Sequence, residues 1–185
     1  MALAADRGEI NEARWSNLGV LGGEVMTLPS GAGLVIRTKV AQEYARLSDS
    51  DPLRASLDRR GADLTGSGDR DLSATSSRLG LGTGKFPSLK LDHLMSASRV
   101  EPEYLIRLAE ATAYGETILY FVHNLSWRMP PQSRTRRWLA AWERRHMTSF
   151  EHTIRDAQQH GRERATQMID SLPKPSSNAP AIATR

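Results

Sequence analysis

The most regular pattern of hydrophobic and polar positions lies near the end of the chain, where apolar side chains recur every three or four residues. A helix turns once in about 3.6 residues, so this spacing places them on one side of an α-helix. Ser133 is a suitable cap, and the pattern predicts a helical region over residues 133–172, with a kink or a join at Gly161. The stripe consists of Trp138, Trp142, His146, Phe150, Ile154, Ala157, Gly161, Ala165, Met168 and Leu172.

Two shorter helices and one strand are expected before this stripe. Apolar spacing predicts helices over residues 89–98 and 102–113, the second of them ending at Gly115. Residues 118–122 are continuously apolar and rich in β-branched and aromatic side chains, which favours a short buried strand. Periodicity alone leaves a helical turn as the alternative for such a short run.

The first sixty residues predict a hairpin followed by helices. Residues 22–37 carry two short β-prone runs on either side of a Pro/Gly-rich connection, which is typical of a β-hairpin. Thr38 is a suitable cap for a helix over residues 39–47. Asp51 followed by Pro52 is typical of the start of another short helix, which we expect to stop at Gly61.

Two segments are too polar to predict a core. Half of residues 61–88 are Gly, Ser or Thr, which favours a long flexible linker, and the Pro-rich residues 173–185 predict a disordered C-terminal tail. The expected organisation is therefore an N-terminal hairpin with helices (1–60), the linker (61–88), a helical part (89–172) and the tail (173–185). The predicted fold class is helix-rich α+β, with the hairpin and one further short strand packed with several helices.

The excess of positive over negative charge lies entirely in the second half of the chain. Residues 1–92 hold 12 basic and 12 acidic side chains, whereas residues 93–185 hold 13 basic and 9 acidic ones, a net charge of +4. Residues 128–164 alone contain nine arginines against four acids. An arginine-rich helical face with tryptophans nearby favours contact with a phosphate backbone. Docking on an acidic protein and simple solvation of the face remain alternatives.

Composition excludes several classes of protein. The chain of 185 residues contains no cysteine, which excludes disulfides, thiolate metal sites and a cysteine nucleophile. The longest apolar run is far shorter than the roughly 20 residues that a membrane span needs, and the N-terminus has no apolar signal region. We therefore expect a cytoplasmic protein that does not enter a membrane.

Residues 94–108 have the features of two short helices joined by a tight turn. Leu94 and Met95 would pack the first helix, Val100 the turn, and Leu105 and Leu108 the second helix. Such a unit can place its second helix in the major groove of DNA. Packing of two helices without any DNA contact is the alternative interpretation.

This segment resembles the helix-turn-helix of Cro/Xre-type repressors and of the central domain of ParB-type partition proteins. Those families show Leu-Ala, three residues, Gly-Val-Ser, and then a helix with Ile or Leu near its first turn. The resemblance implies sequence recognition from the second helix, through Tyr104 and Arg107. The corresponding residues here are Leu94, Met95, Arg99, Val100, Glu101, Pro102, Glu103, Tyr104 and Leu105, with Met95 where the families have Ala and Arg99 where they have the turn Gly.

Catalytic interpretations have less support. Residues 80–85 have the glycines and lysine of a phosphate-binding loop, but Leu79 and Phe86 occupy positions where a Walker motif needs glycine and a hydroxyl. His123 follows the predicted strand, a favourable place for a catalytic side chain, but no nucleophile or carboxylate motif accompanies it. The five histidines lack HxxxH or HExxH spacing, so we expect no metal and no other cofactor.

The leading hypothesis is a DNA-associated regulatory or accessory protein of a plasmid or phage, acting on double-stranded DNA and compatible with a homodimer. The alternative is a protein-binding inhibitor or adaptor, such as a plasmid factor that blocks conjugative transfer. A nuclease or nucleotide hydrolase using His123 and the glycine-rich loop is less favoured, and no catalytic residue is assigned. The predicted DNA-binding residues are Tyr104, Arg107, Arg134, Arg136, Arg137, Arg144 and Arg145.

Overall fold

The computed structural model describes residues 2–4, 14–16, 31–59, 61, 63–88, 90, 92, 94–123 and 144–172. Most of these residues are helical, which confirms the helix-rich expectation. A short helical turn at residues 144–146 precedes the last helix. The elements are β1 (Ala2–Ala4), β2 (Arg14–Ser16), α1 (Thr38–Ser50), α2 (Pro52–Ala55), α3 (Gly68–Arg78), β3 (Thr83–Lys85), β4 (Leu94–Ser96), a 3₁₀ helix (Ala97–Val100), α4 (Pro102–Val122) and α5 (Ser149–Ser171).

The four strands form two separate antiparallel pairs, β1 with β4 and β2 with β3. Leu3 lies opposite Met95 in the first pair, and Trp15 lies opposite Gly84 in the second. These pairs connect distant parts of the chain. Residues 31–37 contain no strand, so the second half of the predicted hairpin is not formed, and its first half lies outside the described residues.

The main core lies where α2, α4 and α5 meet. The longest apolar side chains of α2 and of the turn after it are buried against the second half of α4 and the end of α5. Tyr114, Phe121, Val122 and Leu172 cover the edges of this cluster. The cluster consists of Leu53, Leu57, Ile118, Leu119, Ala165 and Ile169.

The strand predicted at residues 118–122 is wrong, because these residues form the last turns of α4. Ile118 and Leu119 are 0% and 1% exposed, so neighbours cover this part of the helix from several directions. A helix that is enclosed on all sides needs apolar residues around its circumference, and its sequence then lacks a helical stripe. Tertiary burial outweighs the small penalty of a few tenths of a kcal/mol that β-branched residues carry in a helix. For the same reason Gly115 lies buried inside α4 instead of ending it.

The prediction of a flexible linker over residues 61–88 is also wrong, because this segment contains α3. Three of its hydroxyl groups donate to carbonyls of the same helix, Ser73 to Asp69, Thr75 to Asp71 and Ser76 to Ser73. Six residues of α3 are buried although most of them are polar. Gly80, at a φ of 68°, then ends the helix and donates its N–H to the carbonyl of Ser77. The abundance of Gly, Ser and Thr in this segment therefore belongs to a buried helix and not to a flexible linker.

Of the remaining helix predictions, one is wrong and two are confirmed as helices with different limits. Residues 94–98 belong to β4 and the 3₁₀ helix instead of the first α-helix of the expected two-helix unit. The Asp51 cap is confirmed, since its side chain accepts from the N–H groups of Leu53 and Arg54 at 3.0 and 3.4 Å, although α2 already ends at Ala55. The helix predicted over residues 39–47 is confirmed as α1, Thr38–Ser50, but Thr38 is its first residue and not its cap, since Arg37 holds the cap position without a side-chain hydrogen bond. The cap proposed at Ser133 lies outside the described residues.

Helix α5 begins with a reciprocal capping box and continues through Gly161. Thr148 accepts from the N–H of Glu151, and the Glu151 carboxylate accepts from the N–H of Thr148 at 2.7 Å. The backbone N–H of Thr148 thereby holds the pKa of Glu151 below its usual value. Gly161 lies against α4, where a Cβ atom would meet the carbonyl oxygen of Glu110 and lie 3.1 Å from the nitrogen of Tyr114. The close contact between α4 and α5 therefore requires a residue without a side chain at position 161.

Replacing Gly161 by valine is expected to push α4 and α5 apart and to lower the free energy of unfolding by about 2 kcal/mol, the usual cost of overpacking a close contact. Urea denaturation followed by circular dichroism measures this loss. Gln167→Val introduces the same side chain at an exposed position of α5 and serves as the control. Equal stability of the two variants would contradict the close-contact role.

Candidate functional site

A buried ionic cluster joins three helices that are distant in sequence. Arg54 of α2 donates from Nη1 to Oδ1 of Asp71 in α3, over 2.8 Å. Nε2 of His123, at the C-terminal cap of α4, lies 2.7 Å from the same Oδ1 atom. Thr75 Oγ1 lies 3.5 Å from the Arg54 guanidinium and donates to the Asp71 carbonyl. We call Arg54, Asp71, Thr75 and His123 the Asp71 cluster.

Local structure brings each member of the Asp71 cluster to this point. The Asp51 cap starts α2 and directs Arg54 inward, next to the buried Leu53 and Leu57. The carbonyl of Leu57 accepts from the N–H groups of both Ser67 and Gly68, which fixes the start of α3 and hence the position of Asp71. His123 reaches Asp71 because α4 continues through residues 118–122 and ends directly before it.

The Asp71 cluster is closed to solvent. The side chains of Arg54, Asp71 and His123 are 3%, 0% and 9% exposed. A buried carboxylate needs a compensating charge, and Arg54 supplies it directly. Oδ2 of Asp71 is also buried and has no hydrogen-bond partner among the described residues. A histidine paired with a carboxylate is a component of acid–base sites, but here the His123 side chain is only 9% exposed.

A second polar contact lies close to the Asp71 cluster. Tyr44 of α1 donates its hydroxyl to Oδ2 of Asp58 over 3.1 Å. Burial, followed by the negative charge of Asp58, raises the pKa of Tyr44 to about 12, and Asp71 adds a smaller contribution. The proton of Tyr44 is therefore held more firmly than that of an exposed tyrosine.

Sequence analysis singled out His123 but not its partners. Asp71 lies 52 residues away, inside a segment whose composition favours a linker, and Arg54 lies in a short helix. The available signal was the pair of acidic residues Asp69 and Asp71 on either side of Arg70, shortly before a run of serines and threonines. Patterns of local spacing cannot pair residues that only tertiary packing brings together.

The residues predicted to bind DNA occupy two places in the described part of the chain. Tyr104 is half-buried and Arg107 is exposed in the first turns of α4. Arg144 and Arg145 are exposed in the helical turn before α5. Arg134, Arg136 and Arg137 lie outside the described residues.

The glycine-rich loop has the wrong surroundings for a phosphate site. A phosphate loop precedes a helix and offers free N–H groups to the ligand. Residues 80–85 instead follow the C-terminal end of α3, and the N–H groups of Gly80 and Leu81 both donate to carbonyls of that helix. Strand β3 then uses Thr83–Lys85 in its pairing with β2.

Comparisons of the chain with protein-family models, with curated proteins and with solved structures find no match. Within the described ranges, no group of three or more histidine or acidic residues is arranged to hold a metal ion. No helix among the described residues is long and apolar enough to cross a membrane. Function must therefore be inferred from the charges and contacts of this chain itself.

Replacing Arg54 by methionine is expected to lower the free energy of unfolding by about 3–5 kcal/mol, because the charge of Asp71 is then buried without compensation. Thermal and urea unfolding would measure the change. Arg46→Met removes an exposed arginine, whose side chain is 65% accessible and paired with Glu43, and should leave the melting temperature unchanged. A similar small effect for both variants would contradict the structural role of the Asp71 cluster.

The alkaline titration of Tyr44 gives a pH-dependent signature. Its pKa is raised in the folded state, so its contribution to stability is complete below about pH 10, where unfolded tyrosine ionises. That contribution is lost as the pH rises towards 12. We expect one of the four tyrosines to ionise late in an ultraviolet absorbance titration. Tyr44→Phe should remove that component; its persistence would assign it to another tyrosine.

Proposed function

We propose that the chain is a DNA-associated regulatory or accessory protein, of the kind carried by a plasmid or phage, that binds double-stranded DNA through one arginine-rich segment. The observation that carries this proposal is the concentration of positive charge in residues 128–145, which we call the basic segment. It contains six arginines and one glutamate, a net charge of +5. Each phosphate that such a segment neutralises releases condensed counterions and adds affinity for any sequence.

Helix α5, by contrast, contributes no excess charge. Its three arginines are outnumbered by four acidic residues, a net charge of −1. Arg164 is committed to the contact with α4, since it donates to Glu110 over 2.6 Å and stacks on the ring of Tyr114 at 5.4 Å. This contrast favours the basic segment over α5 as the part of the chain that meets DNA.

The described end of the basic segment has the exposure that binding to phosphate requires. Arg144 is 58% exposed, and its contact with Asp156 spans 3.7 Å between two solvated side chains. Such a loose surface pair gives little stabilisation and costs little to exchange for a phosphate. Arg145 is also exposed, one residue further along.

Sequence preference, where it exists, is assigned to Tyr104 and Arg107 on α4. An exposed arginine can make a bidentate contact to a guanine edge. Glu101 and Glu103 are exposed just before them and repel phosphates, so the neighbourhood of Arg107 adds little non-specific affinity. Affinity and preference would then come from different parts of the chain.

Fluorescence anisotropy of a labelled random duplex, titrated over a range of salt concentrations, tests the proposal. We expect tight binding at low salt that weakens steeply as salt rises. The double variant Arg144→Gln/Arg145→Gln should reduce the slope of log affinity against log salt by about two, because two phosphate contacts are lost.

The matched control is Arg46→Gln/Arg59→Gln, which removes two exposed arginines near α1 and α2. It lowers the net charge equally and should leave the slope unchanged. Arg107→Ala should alter the preference between selected sites while the affinity for random duplex stays the same. An unchanged preference would remove α4 from the proposed interface.

Absence of duplex binding by the native protein at every salt concentration would contradict the proposal. The protein-binding alternative would then be preferred, in which the chain inhibits or adapts another machine. Leu94 and Val100 are 71% and 41% exposed around the start of the 3₁₀ helix and would be the first apolar residues to substitute in that search.

A further inference from the structure

Helices α4 and α5 run in the same direction, so their N-terminal ends lie at the same end of the pair. Gly161 of α5 lies against Glu110 of α4. Closer to the C-termini of both helices, Ile169 shares one buried cluster with Ile118 and Leu119. Positions therefore increase together along the two helices. We call the residues at the N-terminal end of this pair, 94–103 and 148–151, the open end.

The open end has apolar side chains that are left in contact with solvent. Leu94, Val100 and Phe150 are 71%, 41% and 39% exposed. None of the residues 94–112 and 144–160 is buried, because the core lies against the second halves of α4 and α5. A concentration of exposed apolar side chains at one end of a molecule is typical of an interaction surface, since their burial against a partner stabilises the complex.

The charges around Val100 indicate which partner fits. Val100 lies between Arg99 and Glu101, and all three residues are exposed. Within the described part of the chain, neither Arg99 nor Glu101 forms a salt bridge or a side-chain hydrogen bond. Opposite charges on either side of one apolar residue are complementary to the same arrangement turned through 180°. A second copy of this chain has that arrangement, whereas a uniformly charged surface would be repelled by one of the two residues.

We propose that two copies of this chain form a two-fold symmetric dimer through the open end. Val100 of each copy packs against Val100 of the other, and Arg99 of each copy pairs with Glu101 of the other. Leu94 and Phe150, at the same end, add apolar surface to the contact. The inference goes beyond the proposed function and does not require DNA binding.

Apolar burial and charge have different parts in this dimer. Burial of the exposed apolar side chains supplies most of the affinity, whereas the two ion pairs fix the orientation in which the copies meet. In a two-fold interface each contact occurs twice, so one substitution acts on both copies.

Sedimentation equilibrium of the full chain, over a wide range of protein concentration, tests the apolar contact. We expect the native protein to have twice the mass of one chain at high concentration and to dissociate on dilution. Val100→Asp should weaken the dimer at least tenfold, because it places two like charges at the centre of the contact. Val35→Asp is the matched control, since Val35 is 81% exposed in the segment before α1, and should leave the dissociation constant unchanged.

Charge exchange tests the orientation of the two copies. Arg99→Glu alone and Glu101→Arg alone each place like charges opposite one another, and each should raise the dissociation constant of the dimer about tenfold. The double variant Arg99→Glu/Glu101→Arg restores both ion pairs and should recover most of the native affinity. Lys39→Glu changes the net charge as much as Arg99→Glu does, at an exposed position of α1, and should have no effect. Glu101 makes no cap hydrogen bond to α4, so its replacement removes none.

A native protein that stays monomeric at every concentration would overturn the proposal and would leave the open end to a different protein. The proposal is equally overturned when Val100→Asp associates as tightly as Val35→Asp, or when the double exchange binds no better than the single ones. Circular dichroism confirms that each variant is folded. These measurements contain no DNA, so their result is separate from the test of the proposed function.

Discussion

One carboxylate oxygen, Oδ1 of Asp71, holds the arrangement of three helices. It accepts from Arg54 of α2 and lies 2.7 Å from the imidazole of His123 at the end of α4. Because the carboxylate is completely buried, α3 can occupy its position only when α2 supplies the opposite charge. Hydrophobic contacts between α2, α4 and α5 provide most of the favourable burial, but this ion pair determines which helix faces which.

Local signals predicted the parts of the fold that depend on neighbouring residues. The Asp51-Pro52 start of α2, the helix after Thr38 and the apolar spacing of α5 were all visible in the sequence, because capping and amphipathicity act within a few turns. The identity of α3 was not visible, because the side-chain partners of Asp71, which connect it to α2 and α4, lie 17 and 52 positions away. The strand assigned to residues 118–122 failed for the same reason, since only α2 and α5 reveal that this run is enclosed.

The arginines of the second half serve two distinct purposes. Arg164 and its partners Glu110 and Tyr114 belong to the α4–α5 contact, and their charge is used within the protein. Arg144 and Arg145 are exposed. They belong to the basic segment, in which six arginines stand against one glutamate. Composition alone counts both groups equally, so it overstates the charge available for the proposed contact with DNA. The contacts separate the arginines of the helical scaffold from those of the candidate binding segment.

The polar character of α3 has a consequence for the order in which the protein folds. Serine and threonine side chains compete with the helix for its own backbone groups, so α3 has little tendency to form by itself. The residues that stabilise α3 lie on α2 and at the end of α4. The chain must therefore lose the conformational entropy of closing long loops before these contacts can form. We expect α3 to form after α4 and α5 have paired. Its amide hydrogens would then exchange with solvent earlier than those beside Gly161, although α3 is the more deeply buried helix.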